Sequence, residues 1–161
     1  MKINEGFFND LGEAGLNIRG NKTMEKNIIK VTAAIFVNDG MLLIAKRKPT
    51  ARLPNLWEFP GGKVEPDETP KECLKRELKE EFDIEVNVGE YLGSNIHTYD
   101  FGTIELMAFK ASWEKGDFKL LDHEEIRWIF KHELDQFDFA PADTAFAEQL
   151  MNGTIEIEKL T

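Results

Sequence analysis

The chain has one cysteine in 161 residues, Cys73, so no disulfide can form within it and its thiol content suits a reducing compartment. No apolar run approaches the ~20 residues of a membrane-spanning helix. The N-terminal residues lack the basic-then-apolar order of a secretory signal, which predicts a cytoplasmic protein. Positive charge is in deficit: 20 lysines and arginines face 30 aspartates and glutamates, a formal net charge of -10. That balance argues against a nucleic acid polymer or an anionic membrane as partner. It leaves phosphorylated small molecules open, because a bound divalent cation inverts the field around it. Internal repeats, low-complexity segments and a second-domain linker are absent as well.

What is present reads as one globular domain with 42% hydrophobic and 31% charged residues. Residues 1–26 carry scattered glycines among charges and read as an N-terminal extension. The domain proper is expected over 27–153, with 154–161 as a C-terminal tail. Ile28–Val37 is rich in β-branched residues, Asn38-Asp39-Gly40 is a hairpin turn, and Met41–Lys48 is the return strand. That strand ends in Lys46-Arg47-Lys48, either a solvated strand end or a contact for phosphate or base. Trp57-Glu58-Phe59 is a short extended segment leading into Gly61-Gly62. Strands are predicted over Ile84–Val88, Tyr91–Thr98, Thr103–Trp113, Phe118–Leu121 and Ile126–Phe130, then a helical turn over Lys131–Phe137. A last helix starts at Pro141 and stops at Gly153. The order predicts an α+β fold, a mixed sheet between helices.

The densest chemical signal runs from Gly61 to Ile84. Thr69 as N-cap, Pro70 at the first helical position and Glu72 three residues after Thr69 form a capping box. Leu74, Leu78 and Phe82 give the helix one apolar stripe. Glu77, Glu80 and Glu81 fall on one arc beside that stripe, while Lys71, Lys75 and Lys79 fall on the other side. Only Arg76 can contact the arc, by its i,i+4 spacing to Glu80. Like charges at this spacing cost about 0.2–0.5 kcal/mol per pair. Three clustered carboxylates suit a hard divalent cation such as Mg²⁺ or Mn²⁺, the alternative being a solvated acidic face. Cys73 lies toward the interior side of the helix and reads as packing.

The full spacing resembles the Nudix box: Gly62, five residues, Glu68, seven residues, then Arg76-Glu77-Leu78-Lys79-Glu80-Glu81. One position departs, since Asp83 stands where the family has a helix-ending glycine. Asp tolerates the left-handed conformation better than most residues. The run WEFPGGKVEPDETP and the later Ala140-Pro141-Ala142-Asp143 resemble the MutT-type branch and the bacterial CTP pyrophosphohydrolases. The resemblance implies an α/β/α sandwich and a metal-dependent nucleoside triphosphate pyrophosphohydrolase acting on 8-oxo-dGTP or on CTP and dCTP. The missing proline between Pro70 and Pro141 counts against the ADP-ribose branch. A non-catalytic nucleotide-sensing domain is the further alternative, disfavoured by the intact glutamates.

By position, the resemblance implies that Glu77, Glu80, Glu81 and the Gly61 carbonyl hold the metal. Arg76 orients Glu80, and Glu68 is structural. Counting back from Trp128, Asp122 stands for a loop glutamate of the MutT-type enzymes, with Glu124 the nearest alternative. Arg47 and Asp143 are the substrate-binding candidates. Asp143 stands where MutT reads its base with asparagine, and its alternative is a cap on the last helix. Phe101, Phe109 and Trp113 are candidates for stacking on a base, against a place in the core. His97 and His123 receive no role. The partner implied is a nucleotide, with the chain a monomer or homodimer.

Overall fold

The structure, a computed structural model, describes residues 27–160; the expected extension 1–26 lies outside the described residues. Among the described residues, six strands and two α-helices carry the fold. The strands are β1 (Ile28–Asn38), β2 (Met41–Arg47), β3 (Trp57–Glu58), β4 (Glu85–Tyr99), β5 (Gly102–Lys115) and β6 (His123–Phe130). The helices are α1 (Pro70–Phe82) and α2 (Pro141–Met151), with 3₁₀ turns at Lys131–Gln136 and Ile157–Lys159.

The sheet order is β3-β2-β1-β5-β4, with β6 paired to β2. β1 and β5 run parallel and the other pairs antiparallel, so the sheet is mixed as expected. The Asp39-Gly40 turn takes positive φ at both residues (50° and 76°), the geometry that twists a tight hairpin correctly. Strand alternation sends side chains to two faces. Ala33, Ile35, Leu42, Ile44, Ile104 and Leu106 pack under α2, against Phe146 and Leu150. Ala34, Phe36, Leu43, Met107 and Phe109 pack under α1, against Leu74, Leu78 and Phe82. All three of those α1 side chains are fully buried, each worth about 1.5–3 kcal/mol relative to exposure. The result is an α/β/α sandwich.

Three expectations change. The two predicted strands between 84 and 98 are one bulged strand, β4, whose register shifts around Gly89–Leu92. Phe118–Leu121 is no strand. The amides of Lys119 and Leu121 donate instead to the carbonyls of Phe82 and Glu81 (2.9 and 3.2 Å), docking this loop on the end of α1. The segment 154–161, expected as a tail, contributes Ile155, Ile157 and Leu160 to the core under α2. Asp83 ends α1 in the left-handed conformation (φ 55°, ψ 40°), as expected of it, and pairs with Lys79 at 2.6 Å and Lys119 at 2.7 Å.

Candidate active site

The Gly61-Gly62 loop runs along β1 almost as a seventh strand. The amides of Ala34 and Thr32 donate to the carbonyls of Pro60 and Gly62 (2.7 and 2.8 Å), and Val64 donates to Lys30 (2.9 Å). Alternation in such a segment turns the Gly61 carbonyl the other way, away from β1. Close approach requires a glycine at 61 and leaves a Cβ at 62 no room beside the Glu77 carboxyl as it stands. A Cβ on Gly61 would stand 1.9 Å from the Thr32 carbonyl oxygen, and one on Gly62 would stand 2.2 Å from the Glu77 carboxyl carbon. The loop therefore presses on α1 at Glu77.

The capping box forms as read: Glu72 N–H donates to Thr69 Oγ1 (3.2 Å) and Thr69 N–H to Glu72 (2.8 Å). It fixes where α1 starts, and thereby which glutamates face inward. The acidic arc is not a solvated face. Glu77 and Glu81 are each 1% exposed, while Glu80 is about a quarter exposed. Arg76 is the hub of the arc. It grips Glu68 with two nitrogens (2.7 and 3.0 Å) and reaches Glu77 (2.9 Å) and Glu80 (3.2 Å) with a third. Glu68 thus has the structural role expected of it: it holds the guanidinium that holds the other acids.

Arg76 does not satisfy the arc. Glu77 Oε2 and both oxygens of Glu81 are buried without a hydrogen-bond partner. Burial pushes Glu77 up to about 7, although Arg76 opposes the shift. Burial, with Glu77 and other nearby acids, pushes Glu81 well above the carboxylate range. Among the described residues no three acidic, histidine or cysteine side chains gather as a preformed metal cluster. Carboxylates facing each other without a cation repel, and Arg76 draws Glu77 and Glu80 to itself. The donor set, buried oxygens lacking partners, nevertheless fits a hard divalent cation. Asp122 directly follows Leu121, the residue bonded to the Glu81 carbonyl. Asp122 is half-buried, and burial raises its carboxyl. Glu124 is exposed. Cys73 is buried against Thr32 and the Gly62 carbonyl (3.4 Å each), and its thiol is pushed up to about 12 by burial, as an inert packing residue should be.

Across the glycine loop lies a cleft lined by Arg47, Glu58, Phe59, Gly62, Tyr99 and Asp143, among others. Arg47, left open between solvated strand end and ligand contact, is only 3% exposed. Its Nε donates to the Arg52 carbonyl (2.8 Å) and its Nη1 pairs with Glu58 (3.3 Å). Burial opposes the charge of Glu58, but Arg47 and the hydrogen bond from His123 outweigh it and hold the carboxyl below its usual range. Asp143 is not a helix cap. Ala140 occupies the N-cap, and Asp143 Oδ1 accepts the Phe59 amide instead (3.0 Å), tying α2 to the glycine loop's approach. Burial, then the ionised Glu58, push Asp143 well above its usual range. The cleft thus sets Glu58, held below its usual range, near Asp143, which burial pushes above its own.

Of the aromatic candidates, Phe109 is core and Trp113 packs on Phe118 beside the end of α1. Phe101 stacks on Tyr99, a lining residue, at 4.8 Å, with Arg52 over its other face. His97 packs edge-on against Tyr99. Sequence reasoning missed Glu58 and His123. Glu58 carried a signal, an acid alternating with Trp57 and Phe59 in a strand aimed at the glycine loop. His123 carried none.

A model of the NUDIX domain matches residues 27–150. A CTP pyrophosphohydrolase of Escherichia coli is 40% identical over 77% of this chain and 92% of its own length. An 8-oxo-dGTP diphosphatase of Haemophilus influenzae is 33% identical over 81% of this chain and 97% of its own. The crystal structure of a MutT protein from Methanosarcina mazei superposes with a TM-score of 0.73 at 28% identity, covering 83% of this chain and all of that one. Among the described residues no helix is long and apolar enough to cross a membrane. The acidic arc on α1, the glycine loop pressed against it and these matches together place the chain in the NUDIX hydrolase family.

Proposed function

We propose that the protein is a divalent-metal-dependent pyrophosphohydrolase that converts a nucleoside triphosphate and water to the monophosphate and pyrophosphate, with a cytosine nucleotide, CTP or dCTP, as preferred substrate. The single observation that carries the metal requirement is the pair of buried glutamates, Glu77 and Glu81, whose oxygens lack partners. Glu77, Glu80, Glu81 and the Gly61 carbonyl would hold Mg²⁺ or Mn²⁺. Held there, such an ion would supply charge to neutralise the triphosphate and acidity to the attacking water. Arg76 keeps Glu77 and Glu80 oriented toward one point, with Glu68 holding Arg76 from behind. Asp122, half-buried and next to Leu121, whose amide is bonded to the Glu81 carbonyl on α1, accepts the water proton.

The base preference rests on the cleft. A carboxylate on Glu58 accepts a hydrogen bond, and Asp143, whose carboxyl burial raises well above its usual range, is the group that would donate one. Cytosine offers the matching edge, an exocyclic amine beside a ring nitrogen acceptor. An oxidised guanine also places an N–H beside a carbonyl, and one relative is an 8-oxo-dGTP diphosphatase, so 8-oxo-dGTP is the second substrate to test.

The experiment is pyrophosphate release with Mg²⁺ over all common NTPs and dNTPs, 8-oxo-dGTP and ADP-ribose, with Glu80→Gln as blank. A preference among triphosphates that disappears in the blank supports the proposal, and CTP or dCTP in first place supports the reading of the cleft. Turnover of ADP-ribose alone, or full activity in the blank, would sink it.

A further inference from the structure

His123 sits where a break in register puts it. β6 pairs with β2 residue for residue from Phe130 down to Glu125 opposite Lys46, but the next pair is Arg47 with His123. One extra residue, Glu124, bulges out. Without it Glu124 would stand opposite Arg47; with it, His123 turns to the side of the sheet where Arg47 meets Glu58. A bulge re-aims a side chain in this way. The imidazole is 2% exposed. Its Nε2 lies 2.9 Å from Glu58 Oε1, and a carboxylate there requires Nε2 to carry the proton. Its ring lies flat on Phe82, centroids 5.0 Å apart and planes 8° from parallel. Phe82 belongs to α1 and directly follows Glu81. One side chain therefore touches both the acid that lines the cleft and the helix that carries the acidic arc.

Two supports meet on Glu58. Arg47 Nη1 spans both carboxylate oxygens loosely (3.3 and 3.4 Å), whereas His123 makes the shorter bond, to Oε1 alone. Arg47 supplies charge; His123 supplies direction. We infer that His123 is a positioning residue for base recognition, holding the Glu58 carboxylate in the rotamer that faces the cleft and keying it to α1 through Phe82. The inference rests on the proposed role of the cleft in reading a base, and goes beyond it by naming what sets that reading.

The test compares two variants of the full chain. His123→Phe keeps a flat ring against Phe82 and removes the donor. His123→Gln restores an N–H at about the reach of Nε2. Pyrophosphate release is measured over the same triphosphate panel, with thermal stability alongside. Expected for His123→Phe is a KM for the preferred triphosphate raised by about tenfold, the loss of a hydrogen bond to a charged group. Its lead over the other bases should shrink by a similar factor, with kcat and the Mg²⁺ titration changed far less. His123→Gln should recover most of the ranking. A His123→Phe enzyme that ranks the bases as the parent does overturns the inference. So does equal damage in both variants that tracks their loss of stability. If His123→Phe does not fold, His123→Asn is read instead, because its amide stops short of Glu58; an unchanged ranking there is equally fatal. A parent that neither hydrolyses nor binds any nucleotide overturns the proposed function and this inference with it. A parent that discriminates bases while its His123 variants discriminate equally overturns the inference alone.

Discussion

Two buried charge clusters lie on either side of the glycine loop, and they are balanced differently. On α1 a single guanidinium, Arg76, faces Glu65, Glu68, Glu77 and Glu80, with Glu81 beyond its reach. In the cleft, Arg47 and His123 share one acid, Glu58, while burial raises Asp143 well above its usual range and its Oδ1 accepts the Phe59 amide. The first cluster is short of positive charge and leaves carboxylate oxygens without partners. The second is close to neutral and already directed. A site lacking charge is completed by an ion; a site that is balanced but polar recognises a neutral edge by the order of its donors and acceptors. On the proposed function, catalysis and selectivity would fall to different electrostatic designs about one loop apart.

The largest expected effect would break the comparison at its charged side. Glu81→Gln should lower Mg²⁺-dependent turnover by at least about a hundredfold, the scale on which metal sites respond to a lost partner. In chelator at alkaline pH the same variant should melt higher than the parent, because it removes a buried charge that nothing neutralises. Activity and stability moving in opposite directions is the signature; a variant both inactive and less stable would show that Glu81 is an ordinary structural acid.

The same imbalance sets a pH dependence. Glu77 titrates near 7 in the folded chain against 4.5 ordinarily. Between those values the folded protein keeps a proton that the unfolded chain has lost, so stability falls as pH rises through that window. Glu81, shifted the same way, extends the fall upward. Melting in chelator should therefore drop by several degrees from pH 5 to pH 8. Added Mg²⁺, which binds the ionised acids, should recover most of the loss at the alkaline end. A melting temperature that climbs with pH in chelator would contradict the burial argument.

On the balanced side, Asp143→Asn should reorder substrates by about tenfold while moving kcat less, since a neutral amide offers its donor and acceptor in a different place. An unchanged ranking would reduce Asp143 to a tie between α2 and Phe59. The smallest effect is expected away from both clusters. Asp83→Gly relieves the left-handed backbone but gives up Lys79 and Lys119, exposed pairs of little individual worth. Melting should shift only slightly and turnover hardly at all. A marked loss of turnover would mean that the Lys119 contact sets the position of Asp122.

What could be read in advance was what repeats locally. The capping box, the apolar stripe and the acidic arc all lie within one helix, where spacing alone decides which side chains meet. Glu58 and His123 could not be paired that way: they stand 65 positions apart and meet only because β6 lies beside β2 and carries a bulge. Phe118–Leu121 looked like a strand because it is apolar, yet its amides answer the carbonyls at the end of α1. Asp143 was legible as a base contact or a helix cap; the helix starts at Pro141 as read, Ala140 takes the N-cap, and the Asp143 carboxyl accepts the Phe59 amide, a partner 84 positions away. Each misreading came from a backbone or side-chain group whose partner lies far along the chain.

The docking of residues 118–121 on the end of α1 also governs where the molecule can be altered for other purposes. Most connections between strands are spacers whose length is free, but this one is a fitted part. A Cβ on Gly116 would already stand 2.7 Å from the Asp83 carbonyl oxygen, and the amides of Lys119 and Leu121 are bonded to the end of α1. An inserted domain there would break those bonds. The tip of the first hairpin, Asp39-Gly40, is exposed, and a side chain on Gly40 would meet nothing within 4 Å. It is the natural attachment point for a reporter, on a turn whose residues are absent from the lining of the cleft.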